Sequence, residues 1–338
     1  MAGTIGVGVV GLGRIGRIHA EIAKFKVDNA RLVAVADSIE GLARGVGESL
    51  GVEWYTSYEK MLRNESVDAV IISTPTFLHR EMILRAVEEG KHVLVEKPMT
   101  VTVGEALDVV SRVSKAGVKL QVGYMRRFDY AFKRAKEAID SGSIGRVISY
   151  IAMVRDPGAP PGWAADPTKS GGIFLDMLSH DFDMARWLAS SEVSEVYVAA
   201  GNYLFEEIRE KGDLDVANIV FKFESGASGV IHAARKSTYG YDLRVEVYGS
   251  EGTVFVGSRI DPNYSLGTRE GVTYQGASWF EKRFYDAYVA EQNHFIQCIV
   301  NDEKPLVNEV DGYRVVEVAE ALWRSYRESR PVAVEYRV

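Results

Sequence analysis

The chain has 338 residues, 46% hydrophobic and 26% charged, an ordinary globular composition that excludes a disordered chain or a fibrous repeat and, at roughly 150 residues per domain, predicts two domains. Lys and Arg number 40 against 47 Asp and Glu, a net charge of −7; a protein living on phosphate-backbone contacts would carry the opposite sign, so nucleic acid is not an expected partner. No window approaches about 18 uninterrupted apolar residues and residues 1–6 carry no basic stretch ahead of an apolar run, so the expectation is a soluble, cytoplasmic protein.

From residue 5 to residue 122 short apolar runs alternate with longer amphipathic stretches. The runs 5–10, 31–36, 67–72, 92–95 and 120–122 are rich in Val and Ile and nearly continuous, as expected of strands buried on both faces. Helical periods fill 15–25, 39–50, 78–89 and 103–116. Thr56-x-x-Glu59 and Thr102-x-x-Glu105 read as capping boxes at helix starts. Such alternation predicts right-handed crossovers and a doubly wound parallel sheet of the Rossmann type, here over residues 1–124.

After one more helix, near 130–141, the texture changes to strand after strand. The runs 147–154, 193–202, 217–223, 229–234, 243–248 and 253–256 are separated by Gly, Ser and Asp turns, and several alternate in period two. That pattern predicts a large, open, mainly antiparallel sheet with one buried face, in a second α+β domain over residues 125–338. Helices are expected near 173–187, 287–300 and 311–329. Cys298, the single cysteine, leaves no intrachain disulfide and no zinc site built on cysteine pairs.

Gly11-Leu-Gly13-Arg14-Ile15-Gly16 follows the first strand and opens the first helix, the context that makes an otherwise weak glycine pattern informative. Gly11 permits the tight turn, Gly13 lets a pyrophosphate approach the backbone, and Gly16 lets helix and strand pack closely. The phosphates would meet the helix N-terminus, beside Arg14 and Ile15. Asp37 ends the second strand, about 20 residues beyond the loop, where a carboxylate binds an adenosine ribose diol and repels a 2′-phosphate. No Arg or Lys follows in Ser38-Ile39-Glu40, so NAD is expected over NADP; Asp37 could also cap the next helix. Glu96-Lys97-Pro98 follows the strand 92–95, and ligands of open α/β sheets bind beyond the carboxyl ends of strands.

In Gly171-Gly172-Ile-Phe-Leu-Asp176-Met-Leu-Ser-His180-Asp-Phe-Asp183 the spacing i, i+4, i+7 puts Asp176, His180 and Asp183 on one helical face. Three readings of that row are open: a satisfied helix surface, a divalent-metal site, or an acid/base group in which His180 accepts a hydroxyl proton.

The glycine loop, the stretch Ser73-Thr74-Pro75-Thr-x-x-His79, the Glu96-Lys97-Pro98 triplet and the Gly-Gly…Asp176-x-x-x-His180 helix occur in this order. Together they resemble the glucose–fructose oxidoreductase / inositol dehydrogenase (Gfo/Idh/MocA) family over essentially the whole chain. Gly123-Tyr-Met-Arg126-Arg127-Phe128-Asp129, Arg155-Asp156-Pro157, Tyr239-Gly240-Tyr241-Asp242 and Arg283-Phe284-Tyr285-Asp-Ala-Tyr288…Glu291 resemble its inositol 2-dehydrogenase branch. Ser170 and the pair Leu178-Ser179 depart from a pattern richer in glycine.

The resemblance implies an NAD-dependent dehydrogenase of a cyclic polyol, most simply myo-inositol to 2-keto-myo-inositol, with no metal. Lys97, Asp176 and His180 are the implied catalytic group: Lys97 polarises the reacting oxygen, His180 takes its proton and Asp176 orients the imidazole. Gly11, Gly13, Arg14, Ile15, Asp37, Ser73, Thr74, Pro75, His79, Glu96 and Lys97 are the implied cofactor contacts. Arg127, Asp156, Asp183, Tyr239, Tyr241 and Tyr288 would join Lys97 and His180 in holding the polyol against the exposed face of the second sheet. A cis Lys97–Pro98 bond and a homodimer or homotetramer through the second domain's sheet are implied too. Within the family the alternatives are an aldose or other sugar dehydrogenase and, in another class, a dinucleotide-responsive regulator without catalysis.

Overall fold

The computed structural model describes residues 3–257, 265–269, 271–274 and 279–338. They form two compact units. The first comprises Met1–Phe128 and Asp286–Val316, the second Asp129–Tyr285 and Glu317–Val338.

The first unit is built on a parallel sheet of β1 (Ile5–Val10), β2 (Ala30–Ala36), β3 (Glu53–Tyr55), β4 (Ala69–Ile72), β5 (His92–Glu96) and β6 (Leu120–Gly123). Their order, β3-β2-β1-β4-β5-β6, is that of a doubly wound dinucleotide-binding sheet. The crossover helices are α1 (Arg14–Phe25), α2 (Glu40–Leu50), α3 (Tyr58–Leu62), α4 (His79–Glu88) and α5 (Val103–Ala116). The capping box at Thr102 forms as the sequence predicts, with Glu105 N–H on the Thr102 hydroxyl and the Glu105 carboxylate on the Thr102 N–H. The box expected at Thr56 does not: Ser57 is the cap of α3, its Oγ accepting from Lys60 N–H. β3 and α3 are too short for periodicity to announce them.

The second unit holds a sheet ordered β12-β11-β7-β10-β9-β8-β15, from β7 (Val147–Arg155), β8 (Val193–Gly201), β9 (Val216–Phe223), β10 (Ser228–Ala234), β11 (Asp242–Gly249), β12 (Thr253–Val256) and β15 (Val332–Ala333). A separate pair, β13 (Ser265–Thr268) and β14 (Gly271–Tyr274), is antiparallel. The large sheet is antiparallel except where β10 runs parallel to β7. Its helices include α6 (Tyr130–Asp140), the short α7 (Pro167–Ser170), α8 (Ser179–Ala189) and α9 (Glu206–Glu210). The helix α8 covers one face of the sheet, with Phe182 edge-on to Phe221 at 5.5 Å and the Tyr150 hydroxyl on the Asp181 carbonyl.

The chain closes with α10 (Phe280–Val300) and α11 (Glu309–Glu328). A single cut at 124/125 would leave all of this with the second domain; the packing returns Asp286–Val316 to the first unit. The cause is apolar burial: Phe295 and Ile296, with Ile299 and Val300 beside them, complete the core formed by Val7, Leu12, Val35 and Leu94. Helical periodicity shows that such a helix is buried but not which core it joins. Among the described residues no helix is long and apolar enough to cross a membrane.

Candidate functional site

In the first unit the candidate groups gather beyond the carboxyl ends of β1, β2, β4 and β5. Gly11 has φ +84°, and a Cβ there would lie 2.7 Å from the Ser73 backbone. A Cβ on Gly16 would lie 1.7 Å from the Gly11 carbonyl, whereas one on Gly13 would meet nothing within 4 Å. Packing therefore requires the first and third glycines, while the second leaves its approach open. No side chain caps α1, and its first turn carries no acidic residue, so its N–H groups and dipole suit an anion. Asp37 stands beside this loop: Oδ2 accepts from Leu12 N–H at 2.8 Å and Oδ1 from Ile39 N–H at 2.9 Å. These residues fit a bound NAD. They would hold its pyrophosphate and adenosine ribose.

The neighbouring loops are braced from within. The Lys97–Pro98 bond is cis. Fully buried His79 places Nδ1 at 2.9 Å from the Pro98 carbonyl and Nε2 at 2.8 Å from the Thr74 carbonyl. Burial pushes its pKa down. His79, expected among the cofactor contacts, is thus lodged between the Ser73-Thr74-Pro75 loop and the Lys97–Pro98 peptide, its single N–H donating to one of the two carbonyls. Glu96 accepts Lys97 N–H on Oε2 and meets His19 Nε2 at 2.8 Å on Oε1. Gln292 Nε2 donates to His19 Nδ1 at 2.9 Å, which leaves the imidazole proton on Nε2, facing Glu96. Arg127 is also tied inside this unit, to the Leu306 carbonyl and Asp311, and buried Tyr288 packs edge-on against His19 at 5.5 Å.

In the second unit Asp176 and His180 sit on consecutive turns, but not on one regular α-helix. Residues Ile173–Met177 form a π-helical turn, closed by Leu178 N–H on the Ile173 carbonyl at 3.1 Å, and α8 starts at Ser179. The single-face reading of Asp176, His180 and Asp183 is corrected accordingly: Asp176 belongs to the π-turn, His180 and Asp183 to α8. π-turns of this kind recur at functional sites. Ser170, a departure from the glycine-rich pattern, has a local task, accepting Gly172 N–H and donating to the Ala164 carbonyl. Asp183 is fully buried 4.0 Å from Arg186. His180 is 6% exposed.

Asp156 follows β7 and is held by its N–H on the Ala234 carbonyl. The Tyr239 hydroxyl donates to Asp242 at 2.7 Å and accepts from Arg155 at 2.6 Å. Tyr241 is buried against Trp279 and Phe280. Asp176 and His180 belong to elements on the covered face of the sheet, not on the exposed face expected to meet the polyol. Two residues escaped the sequence reading, Arg235 and Asp213, which contact Asp176 and the start of its π-turn. Among the described residues no cluster of three His, Cys, Asp or Glu side chains is disposed to hold a metal.

Glu291 is fully buried, and among the described residues neither carboxyl oxygen has a hydrogen-bond partner. An ionised carboxylate so placed is costly; burial and the charge of Glu96 push its pKa well above the ordinary value. The unfolded chain releases this proton near pH 4.3 while the folded chain retains it. The group's contribution to stability is therefore full below that pH and is lost as pH rises through the folded value. Glu291→Gln should abolish this dependence. Its melting temperature relative to wild type should climb between pH 4 and 8, and parallel curves would contradict the assignment.

Comparison with known proteins extends this geometry. Residues 5–124 match the model described as oxidoreductase family, NAD-binding Rossmann fold, and residues 132–255 match the GFO/IDH/MocA C-terminal domain. The chain is 40% identical to the scyllo-inositol 2-dehydrogenase (NAD(+)) of Bacillus subtilis over 97% of this chain and 96% of that one. It is 39% identical to the myo-inositol 2-dehydrogenase of Thermotoga maritima over 97% and 98%. The crystal structure of scyllo-inositol dehydrogenase from Lactobacillus casei with bound NAD(H) and scyllo-inositol is similar at a TM-score of 0.91 and 29% identity, covering 98% of this chain and 99% of that one. With its glycine loop, Asp37 and cis Lys97–Pro98 in place, the chain belongs to the Gfo/Idh/MocA family of NAD-dependent oxidoreductases.

Proposed function

We propose that the protein is an inositol 2-dehydrogenase that oxidises one secondary hydroxyl of a cyclic polyol, myo-inositol to 2-keto-myo-inositol. The observation that carries this reading is the joint presence of Lys97, Asp176 and His180 in a chain with an NAD-binding loop. A binding protein without catalysis has no use for that set. NAD, which the Gly11–Gly16 loop and Asp37 would hold, would supply the hydride acceptor.

His180 takes the hydroxyl proton, the general-base role that imidazoles most often fill. Lys97 donates a hydrogen bond to the same oxygen and stabilises the charge that develops there. Asp176 orients the imidazole. Arg127, Asp156, Asp183, Tyr239, Tyr241 and Tyr288 are proposed to complete the polyol pocket, several of them by bracing it, since their own polar groups are already engaged. An uncharged polyol needs many hydrogen-bond partners and no cationic clamp.

A second substrate, scyllo-inositol, is favoured by the likeness to the B. subtilis enzyme. Oxidation of either epimer at C2 gives the same ketone, so binding of the product does not distinguish them. NADH formation with NAD or NADP and a panel of myo-, scyllo- and chiro-inositol, glucose and xylose tests the reading. NAD-linked turnover of an inositol is expected, and silence across the panel despite tight NADH binding would overturn it. Lys97→Ala should lower kcat by about 10²- to 10³-fold while NADH affinity stays nearly intact.

The cytoplasmic setting is likewise proposed, supported by the lone Cys298, buried and unpaired in any disulfide. We also infer a homodimer or homotetramer through the open face of the large sheet. Tyr197, Val220, Val230, Ile151, Glu246 and Phe255 form one cross-strand row over six strands. All but Glu246 are exposed hydrophobics, from 41% for Tyr197 and Val230 to 73% for Phe255, a contiguous patch of the sort that marks an interface. Light scattering should give an oligomer that Val230→Glu dissociates; a wild-type monomer would contradict the assignment.

A further inference from the structure

Arg235, immediately beyond β10, is only 1% exposed and heads the large side chains that the fold buries completely. Its backbone N–H is anchored on the Asp215 carbonyl at 2.9 Å. Nη1 donates to Asp176 Oδ2 at 3.2 Å and Nη2 to Asp213 Oδ2 at 2.9 Å. The other oxygen of Asp213 accepts from Ile173 N–H at 2.9 Å, the first amide of the π-turn that carries Asp176. One guanidinium thus holds Asp176 directly, through the ion pair, and indirectly, through the carboxylate that fixes the start of its turn.

The surroundings leave this arrangement little freedom. Gly172 has φ +67°, and a Cβ there would lie 2.5 Å from Asp213 Oδ1 and 2.7 Å from the Trp323 ring. Trp323 Nε1 donates to the Gly171 carbonyl at 2.9 Å, and its ring meets Phe174 edge-on at 4.8 Å. A buried ion triad is a poor source of net stability, since well-packed apolar side chains commonly serve as well. What it does supply is a fixed geometry: a planar, forked donor satisfies two carboxylates at set angles, as a lysine cannot.

We propose that Arg235 is a positioning residue for Asp176 and that, with Asp213, it forms one buried unit setting the carboxylate that orients His180. This rests on the reading of Asp176 and His180 as catalytic. A small displacement of such a carboxylate is enough to slow hydride transfer by about 10²-fold, without touching the dinucleotide loop.

The test is a double-mutant cycle on kcat/KM for the inositol turned over fastest, built from Arg235→Lys and Asp176→Asn. NADH affinity and the primary deuterium isotope effect on the ring-deuterated substrate are measured alongside. Arg235→Lys should lower kcat by about 10²-fold, raise the isotope effect and leave NADH affinity unchanged. In the Asp176→Asn background the same substitution should cost less than about 3-fold, because groups acting as one unit are non-additive. Additive losses, or full activity of Arg235→Lys, would overturn the positioning role. Wild-type activity of Asp176→Asn would instead overturn the catalytic reading beneath it. Should Arg235→Lys fail to fold, Asp213→Asn replaces it in the cycle, with the same outcomes.

Discussion

Strand order reverses beside β1, and right-handed crossovers carry the helices on either side of that point to opposite faces of the sheet. The carboxyl ends of β1 and β4 are therefore left uncovered, and a ligand can be met there by backbone rather than by side chains. Gly11, Gly16 and Asp37 follow from this constraint. The glycines let the chain turn back against Ser73 without a clash, and Asp37 accepts the Leu12 amide of that turn and the Ile39 amide just beyond itself. The uncapped N-terminus of α1 supplies the anion-binding groups. Lys97 follows β5 on the same edge, which places a cation where a parallel sheet presents its ligands.

Both units use buried polar groups to fix the surroundings of the candidate residues. Behind Lys97, Gln292 fixes the His19 tautomer, His19 meets Glu96, and Glu96 accepts the Lys97 amide. His79 is packed between the Thr74 and Pro98 carbonyls. Behind Asp176 stand Arg235 and Asp213. Desolvation makes each cluster costly, and none improves on an apolar core as a source of stability. Their common effect is to remove freedom from the backbone and side chains they hold.

The sequence made the first unit legible because its signals are local. Strand–helix alternation, the glycine loop and the Thr102 box each lie within one or two turns of chain. The second unit's strands were equally visible as period-two runs, and so was the alternation that leaves one sheet face open. Three features were hidden for physical reasons. Arg235 meets Asp213 and Asp176 across 22 and 59 residues; its sequence signal is no more than a cation immediately after β10. The π-turn at Ile173–Met177 adds a residue to a helical repeat, which spacing arithmetic built on 3.6 residues per turn cannot register. The return of Asp286–Val316 to the first unit is decided by which apolar surface α10 meets, and amphipathicity does not name its partner.

Lys97 and His180 are proposed to act on one oxygen of the polyol as its carbon loses hydride. A crystal structure of the enzyme with NADH and scyllo-inositol tests it most directly. Lys97 Nζ and a ring nitrogen of His180 are expected within about 2.6–3.2 Å of the same hydroxyl oxygen, on the carbon that faces nicotinamide C4. Lys97 and His180 bound to different hydroxyls, or either of them away from the polyol, would contradict it.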